Sequence, residues 1–102
     1  FLNIAGGLKV SDPALDLSVV SAILSSNFDI IVPDGVAMVG EVGLSGEIRT
    51  VTRVEQRVAE AQKLGFTTIY IPKGNLKGVK DTFTIEIKEV GKVEQLFREL
   101  FS

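Results

Sequence analysis

The sequence contains no cysteine and no histidine. The first absence excludes disulfides and thiolate metal sites. The second removes the usual zinc ligand and the commonest general base. Tryptophan is also missing, and tyrosine and methionine occur once each. Apolar runs are short and broken by charges, so none is long enough to span a membrane as a helix. Neither sign of charge is in large excess: 11 Lys and Arg stand against 13 Asp and Glu, a net −2. That balance argues against nonspecific polyanion binding by the whole surface and leaves room for a local basic stripe.

What is present is the composition of a folded domain, 45% hydrophobic and 24% charged. A length of 102 residues is one domain or part of one. Phe1 is not a natural start, and no initiator Met or signal peptide precedes the first apolar stretch. The sequence is therefore expected to be a fragment of a longer chain.

The stretch 36–72 carries the strongest local signals. Val36, Met38 and Val42 are β-prone, and Gly43-Leu44-Ser45-Gly46 has turn chemistry. Residues 47–51 alternate polar and apolar, as a half-buried strand does. Thr52 and Glu55 have the spacing of a capping box at a helix start. Val54, Val58, Ala61 and Leu64 follow at helical spacing, and Gly65 stands where a left-handed stop is expected. Residues 67–71 form a β-branched and aromatic run ended by Pro72.

Upstream, residues 1–4 read as a strand, Ala5-Gly6-Gly7 as a bend, and residues 8–10 as extended chain. Asp12 and Pro13 suit a helix start, and a helix is expected over 13–26, apolar nearly all round and hence buried. Ser18, Ser21 and Ser25 are read as its packing residues. After it, Ile30-Ile31-Val32 is a short apolar run, and Pro33-Asp34-Gly35 is a turn. Downstream, residues 73–80 form a polar basic loop. Residues 83–87 alternate as a strand, and 92–101 form an amphipathic helix with Val93, Leu96, Phe97, Leu100 and Phe101 on one stripe.

The absent residue types narrow the chemistry. The simplest hydrolytic option left is a Ser or Thr with a Lys. Gly6-Gly7 and the glycines of 40–46 lack the phosphate-loop form, so no nucleotide site is supported. Glu41 and Glu47 flank the hairpin and are read as solvating it rather than as an acid–base couple. Arg49, Arg53 and Arg57 stand out. They are either a solvated face balanced by Glu55 and Glu60, or an anion-contacting stripe for nucleic-acid phosphate or an acidic neighbouring subunit.

Gly40-Glu41-Val42-Gly43-Leu44-Ser45-Gly46-Glu47-Ile48 resembles the glycine-rich hairpin of Lon-family proteolytic domains. The Lon pattern lies on the chain from Pro13 to Pro72 without a gap and continues to Asn75. Lon proteases use a Ser–Lys dyad. The nucleophile's position, after a Pro at a helix start, is Ala14 here, and the lysine's position is Arg57. Alanine has no nucleophile, and a guanidinium cannot be deprotonated to act as a base. With these departures, and with Phe1-Leu2-Asn3-Ile4-Ala5-Gly6-Gly7-Leu8-Lys9-Val10 and Arg53-Val54-Glu55-Gln56-Arg57, the chain resembles the C-terminal Lon-like domain of the RadA (Sms) family of bacterial DNA-repair proteins.

The resemblance implies an α/β fold of the Lon-protease-like, ribosomal-S5-domain-2 type. It implies a mixed sheet with packed helices over residues 1–102, truncated at its N-terminal side. It implies a nonproteolytic scaffold in a DNA-dependent ATPase of recombinational repair and branch migration, supporting assembly of a ring, expected as a hexamer, and DNA contact. Catalytic residues are expected to be none, Ala14 and Arg57 being degenerate dyad positions, with Arg49, Arg53 and Arg57 as DNA-contact candidates. No metal or cofactor is expected in this domain; ATP, Mg and Zn are implied for the parent chain alone. Expected partners are further copies of the chain, single-stranded or branched DNA and a recombinase, in the cytoplasm and away from membranes. Two other readings stand beside this one: an active Lon-type Ser–Lys peptidase, opposed by Ala14 and Arg57, and a purely structural oligomerisation domain.

Overall fold

The computed structural model describes residue 33 and residues 35–101. The strand expected over 1–4, the helix over 13–26 with its serines, the run 30–32 and Ala14 lie outside the described residues.

Gly35, at φ +80°, turns the chain into β1 (Val36–Met38). A two-stranded ribbon follows, in which β2 (Glu41–Val42) pairs antiparallel with β3 (Ile48–Arg49), and Val42 stands opposite Ile48. The turn between them closes through the Gly46 N–H, which donates to the Gly43 carbonyl at 3.0 Å. Gly46 has φ +81°, a conformation that costs glycine little. Alternation predicts this strand over 47–51, but pairing stops at Arg49. Beyond it, the Asn75 amide binds the Val51 backbone on both sides: its Oδ1 accepts from Val51 N–H at 2.8 Å and its Nδ2 donates to the Val51 carbonyl at 3.1 Å. A side chain from a later loop thus takes the groups that a longer ladder would use.

Helix α1 spans Val54–Lys63. Its expected capping box does not form. The N-cap residue is Arg53, left-handed at φ 57° and ψ 39°, with no side-chain cap. Glu55, the acid of the expected box, instead accepts from the N–H groups of Lys80 and Asp81, each at 2.6 Å. Two backbone donors on one carboxylate are worth more than the single N-cap N–H of the box. The helix end follows the sequence. Gly65 has φ +96°, Phe66 N–H donates to the Ala61 carbonyl and Gly65 N–H to the Gln62 carbonyl, both at 3.1 Å. This is the paired closure of a glycine-ended helix, with Phe66 packed in the same cluster as Ala61.

The chain returns as β4 (Thr68–Pro72), which among the described residues lies between β1 and β5 (Glu86–Val90) in a three-stranded parallel sheet. Strand pairing of both senses is therefore present, parallel in the sheet and antiparallel in the ribbon. A short 3-10 turn, Leu76–Gly78, interrupts the loop between β4 and β5. The last strand starts three residues later than alternation predicts over 83–87. The reason is the Gln62 side chain: its Oε1 accepts from Thr84 N–H at 2.7 Å and Ile85 N–H at 3.0 Å, so both lie outside the ladder. Ladder bonding begins with Glu86 N–H donating to the Thr67 carbonyl at 2.9 Å.

Helix α2 (Val93–Phe101) closes the described chain. Alternation along β4 divides the core in two. Ile69 and Ile71 face α1 with Val54, Val58, Ala61 and Ile85. Tyr70 faces the other way with Met38, Ile48, Val90 and Leu96, against which Val93, Phe97 and Leu100 pack. Both faces of β4 are covered, which explains its continuous apolar run. The Glu94–Arg98 pair meets at 4.0 Å with both side chains exposed; its contribution is at most a few tenths of a kcal/mol.

Candidate functional site

Two of the three arginines meet at one groove. Its polar side comes from α1 and its N-cap: Arg53, Gln56, Arg57 and Glu60. Its apolar side is Ala37, Val39, Ala61, Leu64, Phe66 and Ile69, and its volume is about 520 Å³. Counted from Arg53, residues 56, 57, 60, 61 and 64 fall at i+3, i+4, i+7, i+8 and i+11, one continuous helical face. Gln56 and Glu60 are thus groove residues that the same periodicity would have found. The strand contributions could not be read that way, because β1 and β4 are brought alongside α1 only by the sheet.

Arg57 is half-buried, and its Nε donates to the Thr52 carbonyl at 2.9 Å. That bond fixes the guanidinium beside the helix start. Arg53 is exposed, and its left-handed backbone is a conformation that costs an L residue roughly 1–2 kcal/mol. Among the described residues, the groove therefore carries two cations, Arg53 and Arg57, and one carboxylate, Glu60, over an apolar wall. Leu64, 66% exposed, is a large apolar side chain left open to water at its edge.

Arg49 is placed elsewhere. It lies on β3 opposite Glu41, and its Nη2 pairs with Glu47 Oε2 at 2.9 Å. The same carboxylate group accepts from Ser45 N–H at 3.0 Å. The hydrogen bond from Arg49 is the largest of the effects that hold Glu47 below the usual carboxylate range, and the same pairing raises Arg49. Arg49 thus pairs with Glu47 within the hairpin, away from the groove residues, with its side chain 55% exposed. Among the described residues no three His, Cys, Asp or Glu side chains converge in a way that could hold a metal ion. No described helix is long and apolar enough to cross a membrane.

A parallel sheet covered by helices on both faces, with a glycine-rich hairpin between β1 and α1, makes the described residues an α/β domain. The chain belongs to the Lon protease (S16) C-terminal proteolytic domain family, whose model matches residues 5–101. It is 47% identical over 102 residues to the DNA repair protein RadA of Streptococcus pyogenes serotype M3, covering 100% of this chain and 22% of that protein. It is 45% identical over 98 residues to the DNA repair protein RadA of Bacillus subtilis, covering 96% of this chain and 21% of that protein. The chain thus spans about a fifth of the length of these relatives.

Proposed function

We propose that this chain is a nonproteolytic Lon-type module of a DNA-repair ATPase, supporting ring assembly and contacting DNA in the cytoplasm. The observation that carries the reading is Arg57 in the groove, at the position where the Lon resemblance requires a lysine. A catalytic lysine must give up its proton near neutral pH, and a guanidinium does not. Held by the Thr52 carbonyl, Arg57 instead offers permanent positive charge beside Arg53. Two guanidinium groups at one groove suit phosphate, which arginine binds through a planar fork of N–H donors. The similarity to DNA repair proteins supports nucleic acid as the source of that phosphate.

Two measurements test this. Purified protein is expected to release no peptides from an unstructured protein substrate, with or without a chelator; turnover that follows the purified chain would overturn the nonproteolytic reading. Changing Arg53 and Arg57 together to Ala in the full-length protein is expected to weaken DNA binding about tenfold and flatten its salt dependence, each lost phosphate contact removing roughly 0.7–0.9 from the logarithmic slope. Arg53→Gly provides a control. It removes the guanidinium while relieving the left-handed backbone, so weaker binding there is not a folding defect. Unchanged affinity and slope in an assembled double variant would remove the groove as a DNA contact. Loss of assembly would assign the arginines to the subunit interface.

A further inference from the structure

The basic loop over residues 73–80 is not used by the groove, yet its backbone is held more firmly than an exposed loop requires. Three side chains from outside or within it fix its path. Glu89 on β5 accepts from Gly74 N–H at 3.0 Å and Leu76 N–H at 3.1 Å. Asn75 binds both backbone groups of Val51. Glu55 accepts from Lys80 N–H and Asp81 N–H. The loop also lies against the start of α1: a Cβ added at Gly78 would stand 3.3 Å from Val54 Cγ1.

These braces sort the charges. Glu55 and Glu89 spend their carboxylates on backbone N–H groups. Lys73, Lys77 and Lys80 are exposed, and none has an ion-pair partner among the described residues. A depression of about 650 Å³ lies between loop and helix, lined by Arg53, Glu55, Gln56, Asn75 and Gly78 among others. Arg53 also lines the groove on its other side. It therefore joins the groove to the loop as one surface. Among the described residues, groove and loop together carry five cations, Arg53, Arg57, Lys73, Lys77 and Lys80, and four carboxylates, Glu55, Glu60, Asp81 and Glu89, of which Glu55 and Glu89 are hydrogen-bonded to the loop backbone; the lysines stand beside the depression and do not line it.

We propose that the braced loop is a second contact for the nucleic-acid backbone, with Lys77 and Lys80 each meeting a phosphate on a path that continues from Arg53. The inference rests on the DNA-contact reading of the groove and extends it. Lysine is a flexible point charge, so much of its contact is lost to ordering unless its backbone is already fixed. The braces supply that fixation. No base reading is implied, because these contacts are to charge and carry no sequence information.

The test uses the full-length protein and a fluorescent single-stranded oligonucleotide of mixed sequence, titrated at several salt concentrations. Lys77→Ala with Lys80→Ala is expected to weaken binding about tenfold and to lower the logarithmic salt slope by roughly 1.4, two single-strand phosphate contacts at about 0.7 each. Melting and assembly should be unchanged, since both side chains are exposed. Asn75→Ala, which alters no charge, is expected to weaken binding a few fold by releasing the loop. If the lysine variant binds like wild type while the Arg53, Arg57 variant is impaired, the loop proposal falls and the groove reading stands. If neither variant changes affinity or slope, both fall. If the lysine variant loses assembly, the loop serves a protein interface and the proposal is overturned. Asn75→Ala binding like wild type would overturn the role of the braces.

Discussion

Replacing Leu96 by Ala is expected to destabilise the domain by about 2–5 kcal/mol, the cost of deleting a fully buried leucine side chain. Leu96 is 0% exposed and sits in one cluster with Met38, Ile48, Tyr70 and Val90. Those partners come from β1, the ribbon, β4 and β5, so a cavity there loosens every element on that side of the sheet. Polar neighbours cannot refill it, because the surrounding side chains are apolar or, like Tyr70, themselves buried. Phe97 is the larger residue of the stripe, and full burial of its ring would make it the costlier deletion. Its side chain is half-buried instead. Phe97→Ala is therefore expected to cost less than Leu96→Ala, about 1–2 kcal/mol by the area it removes from water. Urea unfolding at constant m-value measures both. A Leu96→Ala loss under about 1 kcal/mol, or the reverse order of the two variants, would contradict this packing.

Gln62→Leu is expected to cost about 1–3 kcal/mol although it trades a polar side chain for an apolar one of similar size. A single oxygen, Gln62 Oε1, accepts from Thr84 N–H at 2.7 Å, Thr84 Oγ1 at 3.0 Å and Ile85 N–H at 3.0 Å. Ile85 is buried against α1, so its N–H has no easy route to water once the acceptor is gone. The segment it anchors leads directly into β5. Amide exchange should therefore accelerate first at Thr84, Ile85 and the start of β5, before α2 is affected. Gln62→Glu keeps the acceptor and should retain most of the stability near neutral pH. Equal loss in the Leu and Glu variants would show that the site responds to shape rather than to the acceptor.

The features of this fold that are legible in the sequence are those set by short-range interactions. Gly65 ends α1, Gly46 turns the hairpin, and residues 93–101 form a helix with Leu96 inward, because these outcomes depend on the backbone freedom of one residue or on the periodicity of a few. The apolar run at β4 was legible for the same reason. The capping box failed because the competitor for Glu55 lay at residues 80 and 81, 25 and 26 positions away. β5 starts later than alternation predicts because Gln62, 22 and 23 positions upstream, takes two amides that alternation assigns to a ladder. Arg49, Arg53 and Arg57 appeared as one stripe in the sequence. Helical spacing does bring Arg53 and Arg57 to the same groove, but Glu47 draws Arg49 into the hairpin.

By itself, then, the sequence determined the helix end, the strand β4, the inward face of α2 and the Lon-type pattern, including an arginine at position 57. Those features follow from local conformational preference, side-chain periodicity and residue identity. Only the tertiary structure decided which carboxylate meets which backbone N–H, where β3 and β5 are cut off, and that the apolar wall beside Arg57 comes from β1, β4 and the turn after α1. Each of those is a competition between a near partner and a distant one. The distant partner wins only after the sheet has brought it within hydrogen-bonding reach.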